Sequence, residues 1–138
     1  MNRKAFIVFV LVAALATGLG SCKSAPKKAD SAKDSLDWSG VYTGTIPGAD
    51  VSEINVRLTL NQDLTYELKY EYVGKGDPAN WTGSFQWDDS GDVVILSGIE
   101  EAPSQYKVAE NKVIQLDMQG QPISGELADN YVLQKEQQ

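Results

Sequence analysis

The sequence predicts an all-β fold: a small antiparallel up-and-down barrel of about eight strands behind an N-terminal export segment and linker. Three observations carry this expectation. From Asp37 onward the apolar residues recur with period two, the repeat of a half-buried strand. The runs are short and separated by clusters of Asn, Asp, Ser and Gly, which supply turns. No stretch after the export segment has a convincing helical period. Regular short strands at this spacing indicate a sandwich or a barrel, and a series of consecutive hairpins favours the meander.

The strands follow in order. Gly40 to Ile46 is the first, stopped by Pro47, which lacks an N–H. In Glu53 to Asn61, Ile54, Val56, Leu58 and Leu60 alternate with Asn55, Arg57 and Thr59. In Thr65 to Val73, Tyr66, Leu68, Tyr70 and Tyr72 alternate with Glu67, Lys69 and Glu71, after a hairpin loop at Asn61-Gln62-Asp63. Gly83, Phe85 and Trp87 share a face of the next strand. Asp88-Asp89-Ser90-Gly91 then forms a turn into Val93–Leu96. Tyr106–Val108 and Val113–Leu116 flank the turn Ala109-Glu110-Asn111, and Tyr131–Leu133 ends the series. Tyr66, Leu68, Tyr70, Tyr72, Phe85 and Trp87 should therefore face the barrel interior. In a domain this small such side chains favour a filled core over a hollow one, and buried phenols need partners or water.

Ahead of this body, Met1-Asn2-Arg3-Lys4 is basic and Ala5–Ala16 is uninterruptedly apolar. Twelve residues are too few to cross about 30 Å of hydrocarbon, and they match the core of a signal peptide. Leu19-Gly20-Ser21-Cys22 resembles the bacterial lipobox. By that resemblance residues 1–21 are removed and Cys22 carries the acyl chains. Each buried CH₂ contributes about 0.8 kcal/mol, and two or more chains anchor stably without a transmembrane helix. Residues 22–36 read as the lipidated cysteine and a flexible linker, because Lys23–Ser35 has no large apolar residue. Such a coil would reach roughly 20 Å, or about 48 Å fully extended. Residues 37–138 are the barrel domain.

Loss of Arg3 and Lys4 with the signal leaves 10 basic residues against 19 acidic ones, a net charge of −9. A body this acidic does not offer nucleic acid a basic groove. It has no histidine, and its single cysteine is committed to lipid, so the common nucleophile–base pairs are missing and no enzyme is expected. Glu100-Glu101 would point to opposite faces of a strand. Asp88, Asp89 and Asp92 offer the oxygens that Ca²⁺ takes, but Asp-Ser-Gly is also an ordinary hairpin composition. No metal or other cofactor is expected.

Trp38 through Pro47 (WSGVYTGTIP), Ala49-Asp50, and Ile54 with Leu58 and Leu60 resemble the N-terminal domain of the copper-resistance lipoprotein family NlpE. Thr65-Tyr66-Glu67-Leu68, Tyr72 through Asp77, and Gly125 through Leu133 agree with it. The resemblance implies a lipocalin-like barrel on an outer-membrane lipoprotein, facing the periplasm, of a kind linked to envelope stress, copper and surface contact. Lys23, rather than Asp, after the lipidated cysteine favours the outer membrane. The second domain of some members is not expected in this chain. The family loop is typically Pro-Cys-Ala-Asp-Cys, whereas Gly48 and Val51 stand here at the cysteine positions. Copper(I) prefers thiolate or thioether ligands, so copper binding is not expected to accompany the fold. Pro47, Gly48, Ala49 and Asp50 remain either a plain turn, with Gly48 at positive φ and Asp50 bonding nearby amides, or a contact loop for an envelope protein partner. Carriage of a small hydrophobic ligand is the alternative function. Trp81 beside a barrel mouth, after a loop at Gly74–Asn80, is a further candidate contact.

Overall fold

The computed structural model describes residues 30–138. Cys22 and Leu19, Gly20 and Ser21 lie outside the described residues. A single turn of helix, α1 (Ala32–Ser35), precedes eight strands: β1 (Gly40–Pro47), β2 (Glu53–Leu60), β3 (Thr65–Tyr72), β4 (Ala79–Trp87), β5 (Val93–Leu96), β6 (Gln105–Ala109), β7 (Lys112–Gln115) and β8 (Val132–Lys135). A short 3₁₀ turn, Ala128–Tyr131, leads into β8. Each strand pairs antiparallel with the next, and β8 returns to β1 through Tyr42↔Lys135 and Thr43↔Gln134. The barrel is closed and follows the up-and-down meander.

The alternation sets the register, because a one-residue slip would turn every apolar side chain outward. Leu58 sits opposite Tyr42 on β1 and Leu68 on β3, and Val56 opposite Tyr70. All five are buried. Closure needs close approach where β1 meets β8. A Cβ on Gly44 would lie 2.8 Å from Leu133 Cδ2 and 2.9 Å from the Val132 carbonyl oxygen, so only glycine fits that seam.

The two ends differ. At one end the strands are joined by the tight connections 61–64, 88–92 and 110–111. The other collects the longer loops 48–52, 73–78, 97–104 and 116–131. The chain enters at the tight-turn end. There the Ala32 N–H donates to Asp92 Oδ1 (2.8 Å) and the Lys33 N–H to the Gly91 carbonyl (2.9 Å). Trp38 lies edge-on to Phe85 and Trp87 at centroid distances of 5.8 and 5.4 Å and closes that mouth. Its carbonyl accepts the Tyr42 hydroxyl at 2.6 Å.

This docking corrects the expected linker. Ser31–Leu36 is part of the body: Ala32 is buried and Leu36 and Trp38 pack on the core. Composition alone conceals it, since Ala32 is small and the holding groups are backbone amides. The sequence-based expectation of no helix after the signal is also corrected, by α1 and the 3₁₀ turn. β4 begins at Ala79, so Asn80 is strand rather than loop.

Candidate functional site

The interior is filled by side chains. Tyr66, Leu68, Tyr70 and Phe85 are buried in it; Tyr72 and Trp87, at opposite rims, are half-buried and pack against it. A lumen wide enough for one water would leave accessible surface on its lining. Leu58, Leu60, Tyr66, Leu68 and Tyr106 each retain 1% or less. At the loop end, Tyr70 meets Trp81 edge-to-face at 5.2 Å and Tyr72 at 6.4 Å. Trp81 is opposite Leu68 on β3, which sets it on the inner face, where it closes the mouth while half-buried.

The polar groups inside form a small set. The Tyr66 hydroxyl donates to the Ser97 carbonyl, and the Tyr70 hydroxyl to Gln115 Oε1 at 3.2 Å. Gln115 is the buried polar side chain among the described residues, and its strand position gave no sign of a partner across the barrel. Among the described residues the Tyr106 hydroxyl and Trp87 Nε1 are buried without a well-formed hydrogen bond, although the Tyr70 phenol lies beside that of Tyr106. Burial, together with the neighbouring phenols of Tyr70 and Tyr66, pushes Tyr106 well above its ordinary pKa. Burial also raises Tyr66 and Tyr70. Burial and the nearby Asp37 charge take Tyr42 to about 12. With their pKa values raised, these phenols stay protonated at neutral pH and act as packing groups.

Pro47, Gly48, Ala49 and Asp50 lie at the loop end, at the far end of β1 from the docked α1. Pro47 is the last residue of β1, opposite Glu53. Gly48 is not at positive φ, which corrects that part of the expected turn. Glycine is needed for space instead: a Cβ there would lie 2.4 Å from Val51 Cγ2 and 2.7 Å from the Val51 carbonyl oxygen. Gly48 and Val51, where the family resemblance implies cysteines, are therefore in contact: one side chain is absent and the other fills its room. Asp50 is exposed and makes no hydrogen bond among the described residues, so it does not hold the turn as expected. Ala49 is exposed as well.

The acidic turn uses its carboxylates on the backbone. Asp88 Oδ1 accepts the amides of Gly91, Asp92 and Val93 at 3.0–3.2 Å, and the Ser90 hydroxyl donates to the same carboxylate at 2.8 Å. Burial pushes the Asp88 pKa up, but the bonds from Ser90, Val93, Asp92 and Gly91 outweigh it and leave the pKa lowered. Asp92 holds α1. Among the described residues no three His, Cys, Asp or Glu side chains converge as a metal site. The one sulfur there belongs to exposed Met118.

Comparison with known proteins agrees with this architecture. The model of the NlpE N-terminal domain family matches residues 42–126. Lipoprotein NlpE of Escherichia coli K12 is 25% identical over 141 residues, covering 99% of this chain; the chain spans about three-fifths (59%) of that relative's length. The crystal structure of a candidate lipoprotein from Shewanella oneidensis superimposes with a TM-score of 0.70 at 38% identity, covering 78% of this chain and 96% of that one. The crystal structure of the Cpx pathway activator NlpE from E. coli gives a TM-score of 0.52 at 24% identity, covering 72% and 52%, and shares the fold. The chain thus belongs to the NlpE N-terminal domain family, of which it presents the closed eight-stranded barrel.

Proposed function

We propose that the chain is a periplasm-facing outer-membrane lipoprotein whose barrel is a non-enzymatic binding or envelope-stress signalling module that does not itself bind copper. The observation that carries this reading is the filled interior combined with a one-sided arrangement of loops. With Cys22 acylated, residues 23–30 would hold the tight-turn end toward the membrane and direct the four longer loops away from it. A full barrel has no lumen in which to carry a hydrophobic ligand, so recognition belongs to its outer surface. The relation to a Cpx pathway activator supports a signalling role, and the contact between Gly48 and Val51 speaks against a thiolate copper site at the loop.

The test is crosslinking in the native envelope. Photo-crosslinking groups placed at Ala49 and Asp77, at the loop end, should recover a discrete partner above background, whereas the same group at Glu110, at the tight-turn end, should not. Recovery of nothing from any position would overturn the binding-module reading. Failure of labelled palmitate to enter the protein, or a Cys22→Ser variant that stays membrane-bound, would overturn the anchor.

A further inference from the structure

Strand β4 has two unlike halves. Phe85–Trp87 pair with Val94–Leu96 of β5 and the Ser84 carbonyl still accepts the Ser97 amide, whereas Ala79–Gly83 pair with β3 alone. The chain leaves the sheet at Ser97–Gly98, where Gly98 takes φ +78°; the loop beyond packs Ile99 and Ala102 on the core, and its backbone makes no hydrogen bond to Asn80 or Thr82. The directions of the backbone groups follow from two bonds. The Phe85 amide donates to the Leu64 carbonyl on the β3 side (2.8 Å), and the Ser84 carbonyl accepts the Ser97 amide on the other side (2.9 Å). Because direction alternates along an antiparallel strand, the N–H and C=O of Thr82 and Asn80 point away from β3. Among the described residues nothing pairs with them.

Natural edges are usually blunted by charge, proline or a bulge. Ala79–Trp87 (ANWTGSFQW) contains no charged residue, and Asn80, Thr82 and Ser84 are exposed. The surroundings are the opposite. The four loops at this end carry seven acidic residues against the single base Lys75, and Asp77, Glu100 and Glu101 lie in the two loops beside the opening. Residues 30–138 as a whole hold 19 acids and 7 bases. A neutral open edge within an acidic rim fits a strand whose own side chains are basic. A second copy of this chain would bring the same negative charge to the contact.

We propose that the β4 edge at Asn80–Thr82 receives an extended, lysine- or arginine-bearing segment of another protein by strand addition. The inference rests on the binding-module reading and gives it a site and a partner chemistry. Main-chain bonds to Asn80 and Thr82 supply the affinity. Alternate side chains of the guest lie over Trp81 on the inner side and beside Asn80 and Thr82 on the outer side, with basic residues reaching Asp77, Glu100 and Glu101.

The test uses the mature lipidated protein in nanodiscs and a synthetic decapeptide of alternating valine and lysine. Amide exchange at Asn80 and Thr82 should slow at least tenfold with the peptide. The slowing should vanish with a valine–glutamate peptide and with a valine–lysine peptide N-methylated at alternate residues. Thr82→Pro removes only an N–H that faces away from β3, so the ladder persists; it should abolish the protection without lowering the thermal midpoint. Thr82→Lys, which keeps the backbone, should weaken binding at least tenfold by repulsion. No slowing, or binding unaffected by N-methylation and by both variants, would overturn the proposal. Protection of the same amides that grows with protein concentration in the absence of peptide would overturn it in favour of a second copy. A native partner captured through Ala49 or Asp77 but never through Thr82 would overturn it while leaving the binding-module reading intact.

Discussion

Gly48 stands where the family resemblance implies a cysteine. Its missing side chain is matched to the isopropyl group of Val51, so the pair forms one packing unit. Gly48→Ala is expected to lower stability by about 1–3 kcal/mol, the usual cost of overpacking, and Val51→Ala in the same molecule should restore only the part due to the isopropyl group, the approach to the Val51 carbonyl remaining. Denaturant unfolding of the four combinations measures the coupling; additive effects would mean the loop simply relaxes. The Tyr106 hydroxyl, buried without a well-formed hydrogen bond, makes the reverse case. A buried polar group without a partner costs about 1–3 kcal/mol, so Tyr106→Phe should leave stability unchanged or higher. A clear loss would mean the hydroxyl has a partner, such as an internal water. Titration of Tyr42 can be followed directly. Its pKa rises from 10.0 to about 12 on folding, so the stability it contributes is complete below pH 10 and disappears as pH climbs toward 12. Alkaline unfolding should therefore begin above pH 10, with a Tyr42→Phe variant less sensitive across that window.

Among the elements, the β4–β5 turn links local electrostatics to the position of the tether. Asp88 has a lowered pKa because its carboxylate accepts several bonds. Its contribution is present above the unfolded value near 3.8 and fades as pH falls through the folded one. The stability difference between the natural chain and Asp88→Asn should accordingly be full near pH 6 and narrow below pH 3.8, as read by urea unfolding at a series of pH values. Asp92→Ala should release α1, seen as faster amide exchange at Ala32 and Lys33, while the barrel ladder keeps its protection. The strands themselves were legible because each alternates, and β2 and β3 show why: their apolar residues sit at every second position with few exceptions. The start of β4 was not legible. Ala79, Asn80 and Gly83 have little strand character, and only their pairing with Tyr70, Lys69 and Tyr66 on β3 draws them into the sheet. The docked Ser31–Leu36 was hidden for the same kind of reason, since its partners lie some 60 residues away and include main-chain groups. The aromatic face read from alternation places Tyr66, Leu68, Tyr70 and Phe85 inside. Tyr72 and Trp87 fall at the rims because they stand at strand ends. Gln115 and the open β4 edge are properties of closure and strand length, which no single segment encodes.

For the molecule as a whole, the fold makes a plug rather than a cup. Four long strands, β1–β4, close against four short ones, and the aromatic side chains of both ends fill the space between. Entry of the chain at the tight-turn end gives the barrel a polarity, with an acidic, loop-rich face opposite. With the interior full, the proposed recognition falls to that face and to the β4 edge. The most direct measurement is native mass spectrometry of the mature protein taken gently from the envelope of its own host. The expected mass is that of the acylated chain with no internal guest. A stoichiometric hydrophobic adduct that survives removal of bulk lipid would contradict it, for it would require a cavity where Leu58, Leu68 and Tyr106 now meet.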